Sequence, residues 1–142
     1  MKNIIILSVT ICLGFLSCKT ADMSKSKSTS AELQTASYQV ESIKGVELEK
    51  QTISIFLNTE EKAVSGNATC NDYRFNYEID NDQIKMNRGI STKMYCEGKM
   101  EKERSFMSQL GKVKYLSQTE KMLYLKDAEN KLLIKAKKTK KS

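Results

Sequence analysis

Alternation of apolar and polar residues at a period of two is the feature that most constrains the fold of this chain. Such alternation is typical of strands with one buried face. Strand-type patterns recur in eight short segments, at 38–42, 53–57, 63–66, 75–79, 84–86, 113–116, 122–125 and 132–134. Turn-forming residues separate several of them, including Lys44-Gly45, Asn58 and Asp80-Asn81-Asp82. The pattern therefore predicts about eight short strands joined mainly as antiparallel hairpins.

One segment, Glu97 to Leu110, has the period of a helix instead. Its apolar residues recur at three- and four-residue spacings, and Gly111 follows as a suitable residue just past the end. We interpret Met100, Phe106 and Leu110 as core contacts. Closing the sheet removes edges that invite aggregation. We therefore expect a mainly β protein, a small antiparallel barrel, complete or incomplete, with one helix inserted late.

The first seventeen residues predict a lipoprotein signal peptide. Lys2 precedes an uncharged run, Ile4 to Leu16, which is too short to cross ~30 Å of bilayer as a helix. The run ends at Phe15-Leu16-Ser17-Cys18, which resembles the lipobox, whose cysteine is diacylated and becomes the new N-terminus. An uncleaved anchor, or an ordinary signal with a chance cysteine, is the alternative. Because several acyl chains anchor a protein stably, we expect Cys18 to hold the mature chain on a membrane.

Composition divides the rest of the chain into three parts. Residues 18–36 are the lipidated cysteine and a flexible Ser/Lys-rich tether, residues 37–136 a globular domain, and residues 137–142 a basic tail. Lys19 follows the cysteine where Asp would favour inner-membrane retention, so the periplasmic face of the outer membrane is the expected location. The net charge of +7 leaves open a solvated tail or an anionic partner. In an exported protein we expect no nucleic acid, and we expect a monomer.

Four cysteines divide between export and the folded domain. Cys12 leaves with the signal peptide and Cys18 carries the lipid, so Cys70 and Cys96 remain as a pair. In an oxidising compartment such a pair favours a structural disulfide over a redox pair or half of a metal site. Neither cysteine belongs to a Cys-x-x-Cys unit, and the chain has no histidine to complete a zinc site. We expect a bridge worth ~3.5 kcal/mol, no metal and no cofactor.

Two blocks of the chain resemble the signature of the META domain, or HslJ-like heat-shock protein, family. The first is Val64-Ser65-Gly66-Asn67-Ala68-Thr69-Cys70-Asn71-Asp72-Tyr73, and the second is Ile90-Ser91-Thr92-Lys93-Met94-Tyr95-Cys96. A helix with Glu103, Phe106 and Leu110 and a final hairpin follow in the family's order. Thr69 replaces the glycine usual before Cys70, and Tyr38 stands where tryptophan is usual.

The resemblance implies envelope lipoproteins with links to stress responses and no established enzymatic activity. The matched motif residues, which the resemblance marks as structural, are Gly66, Asn71, Tyr73, Thr92 and Met94, together with the two cysteines.

The sequence offers no catalytic residue. Without histidine, the usual proton shuttle and the serine or cysteine triads lack a base. The carboxylate pairs Glu60-Glu61, Asp80-Asp82 and Glu101-Glu103 are interpreted as solvated surface. We therefore expect a non-catalytic binding module for an envelope protein or a small apolar ligand, supporting envelope stress tolerance. A lysozyme inhibitor and an outer-membrane assembly factor are the alternatives.

Overall fold

The computed structural model describes residues 33–50 and 52–140. The predicted signal peptide, Cys18, most of the predicted tether and the last two residues of the basic tail lie outside these ranges. Within them, none of the helical structure is long and apolar enough to cross a membrane.

Ten strands and one helix form in the part of the chain that the structure describes. The strands of the main path are β1 (Ala36–Ile43), β3 (Ser54–Asn58), β4 (Ala63–Asn67), β5 (Asp72–Asp80), β6 (Gln83–Met86), β8 (Tyr115–Gln118), β9 (Met122–Lys126) and β10 (Leu132–Lys138). Two strands of two residues each, β2 (Val46–Glu47) and β7 (Ile90–Ser91), pair with β1 and β5. The helix, α1, is Met100–Leu110.

The eight longer strands confirm the predicted antiparallel barrel. Their order is β6-β5-β4-β3-β1-β10-β9-β8, and each neighbouring pair is antiparallel. The two outer strands approach each other where the Ile84 N–H donates to the carbonyl of Lys114, the residue just before β8, at 2.6 Å. Beside it, the Gln83 amide donates to the Tyr115 hydroxyl at 2.9 Å. The barrel is thus nearly closed, with a seam between β6 and β8.

The antiparallel order gives the barrel two distinct ends. At the end where β1 begins, which we call the entry end, lie the turns 59–62, 81–82 and 119–121. Gln34 exchanges two hydrogen bonds with the Gln118 side chain there, at 2.7 and 2.9 Å. At the opposite end, the helix end, lie the turns 68–71 and 127–131 and the segment from 87 to 99 that leads into α1.

The alternating residues of the strands fill the barrel. Tyr38, Ile55, Leu57, Leu123 and Ile134 are fully buried with other strand residues in one core cluster. Phe106 and Leu110 of α1 join this cluster, as predicted, whereas Met100 is only half-buried. The helix therefore covers one end of the barrel with two of its large apolar side chains.

Several boundaries differ from those predicted. The helix begins at Met100 rather than Glu97, because Gly98 has a left-handed φ of 72° and interrupts helical geometry just before it. Gly111 keeps a right-handed φ of −66°, so the helix ends without using glycine's freedom. β8 begins two residues later than predicted, at Tyr115, and β1 and β10 extend beyond the predicted limits of the domain to Ala36 and Lys138.

Candidate functional site

Asn71 is the centre of a buried hydrogen-bond network at the helix end, and only 3% of its surface is exposed. Its side-chain oxygen accepts from the Thr92 hydroxyl at 2.8 Å and from the Met94 N–H at 2.7 Å. Its side-chain nitrogen donates to the Glu103 carboxylate at 2.7 Å and to the Met94 carbonyl at 3.1 Å. These four bonds use the full capacity of a carboxamide. We call Asn71, Thr92, Met94 and Glu103 the Asn71 network.

Glu103 corrects the prediction that the carboxylate pairs are solvated surface. The side chain lies on the covered side of α1, 8% exposed, and its second oxygen accepts the Asn71 N–H at 2.9 Å. A buried carboxylate is tolerated where hydrogen bonds satisfy it. The signal for this role is its spacing: Glu103 lies three residues from both Met100 and Phe106, within the apolar stripe. Glu103 thereby fixes α1 to the turn between β4 and β5.

The other predicted carboxylate pairs lie elsewhere. Glu60 and Glu61 are exposed in a turn at the entry end, where Glu61 forms an ion pair with Arg74 at 2.7 Å. Asp80 and Asp82 are exposed around the turn of the β5–β6 hairpin at that same end. None of these four carboxylates takes part in the hydrogen bonds of the Asn71 network.

Gly66 and Tyr73 both contact Ser54 beneath the Asn71 network. A Cβ at Gly66 would lie 2.8 Å from the carbonyl carbon of Ser54 and closer still to its oxygen, so only glycine fits there. Tyr73 pairs with Gly66 in register and donates its hydroxyl to the same carbonyl at 2.9 Å. Its ring packs against Phe106 with centroids 5.3 Å apart. Burial raises the pKa of the Tyr73 hydroxyl above its ordinary value of 10.0, which keeps the group a hydrogen-bond donor.

The two cysteines close the same region. Cys70 and Cys96 lie at disulfide distance, with Cα atoms 6.0 Å apart, and the bridge links the β4–β5 turn to the chain just before α1. Thr69, which precedes Cys70, has a φ of 91°, in the left-handed region that favours glycine. The glycine usual at this position in the resembling family suits this conformation. Here threonine adopts it, which costs about 1–3 kcal/mol of backbone strain.

The Asn71 network supports an exposed segment of chain. Residues 90–95, which we call the edge segment, begin with β7, and all six are exposed. Three of them are large apolar side chains: Ile90 is 71% exposed, Met94 53% and Tyr95 81%. The Met94 side chain is thus exposed, although the backbone N–H and C=O of Met94 are both hydrogen-bonded to the Asn71 side chain.

Two open depressions lie at the helix end of the barrel, and Gly98 lines both of them. One, of about 450 Å³, is lined by Tyr95, Gly98, Met100, Glu101 and Arg104. The other, of about 300 Å³, is lined by Glu49, Lys50, Thr52, Thr69, Gly98, Lys99 and Lys102. Both lie at the surface and carry charged side chains, whereas the barrel interior is filled by the core cluster.

The buried motif residues hold the structure together. In residues 33–50 and 52–140, every buried side-chain nitrogen or oxygen has a hydrogen-bond partner. The same ranges contain no group of three or more metal-ligating side chains of the Cys, Asp or Glu type. The hydrogen bonds of Asn71 brace the loop that carries the edge segment. Sequence reasoning identified Asn71, Thr92 and Met94 as motif positions but could not supply their partners.

Comparisons with solved structures support the barrel. An NMR structure of a protein from Burkholderia xenovorans matches with a TM-score of 0.59 at 15% identity, over 77% of this chain and 85% of that one. A second NMR structure matches with a TM-score of 0.55 at 21% identity, over 74% and 90%. A DUF4847 family protein from Bacteroides vulgatus matches with a TM-score of 0.55 at 11% identity, over 76% and 95%. At these identities the likeness concerns the fold alone.

A search of curated proteins finds no match. The family comparison is decisive instead, since the profile of the META domain matches residues 31–140, most of the chain. That range contains both motif blocks, the helix and the final hairpin on which the resemblance rests. The chain belongs to the META domain family.

Proposed function

We propose that the protein is a lipid-anchored lipoprotein of the bacterial cell envelope whose META domain is a non-catalytic binding module that supports envelope stress tolerance. One observation carries this proposal. Apart from the exposed Met94 side chain, the family's motif residues are engaged in the Asn71 network, in contacts with Ser54 and in the cysteine bridge, and what they leave accessible is the edge segment. A motif whose side chains hold an exposed segment in place favours a binding role over a catalytic one.

The two ends of the barrel support a tethered arrangement. The chain enters β1 at the entry end, where Gln34 and Thr35 are hydrogen-bonded to Gln118 and Thr59. The edge segment lies at the helix end. A tether from Cys18 would therefore attach the domain at the end opposite the edge segment. Confinement near the membrane raises the effective concentration of the domain toward partners there, so that a weak binder suffices.

The surface around the edge segment favours a protein partner of acidic character. Residues 88–104 contain five basic side chains, Arg88, Lys93, Lys99, Lys102 and Arg104, against two exposed acidic ones, Glu97 and Glu101. Such a surface is a poor electrostatic match for a cationic lysozyme. The filled barrel interior gives less support to an apolar small-molecule ligand than the exposed edge gives to a protein.

Fractionation of cells expressing cysteine variants tests the anchor. Cys18→Ala should leave the membrane fraction or accumulate as unprocessed precursor, whereas Cys12→Ala, the matched control within the predicted signal, should fractionate as wild type. Mass spectrometry of the wild type should find a lipid on the N-terminal cysteine. An unmodified N-terminus at another position would refute the anchor.

Genetic rescue tests the function. Deleting the gene should sensitise cells to envelope stress, and the lipidated wild type should restore tolerance. An untethered domain, exported to equal periplasmic abundance, should restore it poorly because it lacks the concentration near the membrane. Full rescue by the untethered domain would refute the tethered role, and turnover of an envelope substrate by the purified protein would refute the non-catalytic one.

A further inference from the structure

The first three residues of the edge segment have the hydrogen-bonding geometry of an open strand. They are antiparallel to β5, with Arg74 opposite Ile90 and Tyr73 opposite Ser91, and the Thr92 N–H donates to the Asp72 carbonyl at 3.1 Å. In an antiparallel ladder, alternate residues direct their N–H and C=O toward the partner strand. Since Thr92 faces β5, Ser91 faces the other way. Met94 turns its N–H and C=O toward the Asn71 side chain, so an extended backbone at Lys93, between Thr92 and Met94, would direct the Lys93 N–H and C=O outward.

The inward-facing residues hold this strand edge in place. Thr92 is bound through both backbone and side chain, because its hydroxyl accepts the Asp72 N–H at 3.1 Å and donates to Asn71. Met94 is bound to Asn71, and Cys96 to Cys70. A segment already ordered before binding loses little conformational entropy when a partner pairs with it. The shape of the edge is thus a consequence of the buried network.

The side chains of the edge segment indicate the chemistry of what pairs with it. Ile90 and Met94 are exposed apolar residues on one face, and Lys93 lies between them in sequence. None of the five basic side chains between residues 88 and 104 forms an ion pair with the described residues. We propose that the outward edge of Ser91 and Lys93 binds an extended segment of a partner protein, in which acidic residues alternate with aliphatic ones, by β-strand addition.

This proposal rests on the binding role proposed above and names the partner's chemistry. Charge favours a different, acidic protein over a second copy of this chain. A second copy would place Lys93 and its basic neighbours against the same basic surface, and the like charges would repel each other. The depression lined by Tyr95 and Arg104 continues from the edge and can accept a further side chain of the bound segment. A free lysine on an open edge also discourages unspecific pairing between copies.

Binding of fluorescent peptides to the purified protein tests the proposal. The panel contains peptides in which Val alternates with Glu, with Lys or with Ser, and a Val/Glu peptide interrupted by a central Pro. Fluorescence anisotropy should rank the Val/Glu peptide first. Ser91→Pro removes an outward N–H without touching the ladder to β5, and loss of the hydrogen bonds on that edge should weaken binding about tenfold. The Pro-containing peptide should be weakened comparably, because it cannot complete the ladder.

A charge variant keeps the test independent of how well the proline variant folds. Lys93→Glu should weaken binding of the Val/Glu peptide and strengthen binding of the Val/Lys peptide. Lys85→Glu, on the exposed side of β6, is the matched control and should change neither. Hydrogen exchange should show new protection of the Ser91 and Lys93 amides when peptide binds. The amides of Thr92 and Met94, already hydrogen-bonded, should change little.

Three outcomes would overturn the inference: equal binding of all four peptides, protection appearing at the β6–β8 seam instead, or self-association without peptide that Ser91→Pro abolishes. Failure here is distinguishable from failure of the proposed function. A lipidated Ser91→Pro variant that restores stress tolerance fully would refute the strand edge and leave the tethered role standing. Full rescue by an untethered wild-type domain would refute the tethered role while the peptide result stood.

Discussion

Exchanging one atom of the Asn71 side chain tests whether the buried network stabilises the fold. In Asn71→Asp, an acceptor replaces the nitrogen that donates to Glu103 at 2.7 Å and to the Met94 carbonyl at 3.1 Å. The lost charged bond is worth ~1.5–3 kcal/mol and the neutral one ~0.5–1.5 kcal/mol. Two carboxylates would also face each other. We expect the free energy of unfolding to fall by about 3–5 kcal/mol at neutral pH, lowering Tm by about 15–25 °C.

Two controls make this expectation specific. Asn87→Asp makes the same change at the surface, where the Asn87 amide donates to the Glu78 carboxylate at 3.1 Å. This control should lower the free energy of unfolding by less than about 1 kcal/mol. Adding Glu103→Gln to Asn71→Asp restores a donor opposite an acceptor, and should recover at least half of the loss.

The deficit of Asn71→Asp should also depend on pH. Repulsion raises the folded-state pKa of one carboxyl of the pair above its unfolded value, so the folded state binds more protons than the unfolded state between the two values. Stability of the variant relative to wild type should therefore rise as the pH falls from 7 toward about 4. Thermal melts followed by circular dichroism across this range provide the measurement. Equal Tm values for Asn71→Asp and Asn87→Asp, or no recovery in the double variant, would refute the reasoning.

Three further predictions concern the same region. Thr69→Gly should raise the free energy of unfolding by about 1 kcal/mol in urea titrations, since glycine adopts the φ of 91° without strain; a destabilised variant would contradict this. Burial raises the pKa of the Tyr73 hydroxyl. The stability that this buried, neutral hydroxyl contributes to the fold is therefore present below about pH 10 and is lost as the pH rises beyond that value. Tyr73→Phe should therefore reduce the alkaline loss of stability and Tyr95→Phe, at an exposed residue, should not. Replacing Cys70 and Cys96 together by Ser should lower stability by ~3.5 kcal/mol with similar strand content, and two reactive thiols in oxidised wild type would exclude the bridge.

The elements of the fold were predictable because their signals are local. Alternation at a period of two marks each strand within five or so residues, and the apolar stripe of Phe106 and Leu110 marks the helix. Two-residue strands such as β7 carry no usable period, and their pairing depends on a partner far along the chain. The ends of the helix were misplaced at Gly98, because a left-handed residue is invisible in the apolar pattern.

By itself, the sequence determined the antiparallel barrel, the late helix, the cysteine pair and the family motif, since each depends on residue type and spacing. Only the tertiary structure decided what the motif does. Asn71 bonds to residues 21 to 32 positions away, and Glu103, which resembles a solvated helix residue, is buried because Asn71 lies opposite it. The outward direction of Ser91 follows from register with β5, and register between distant strands is a property of the assembled sheet.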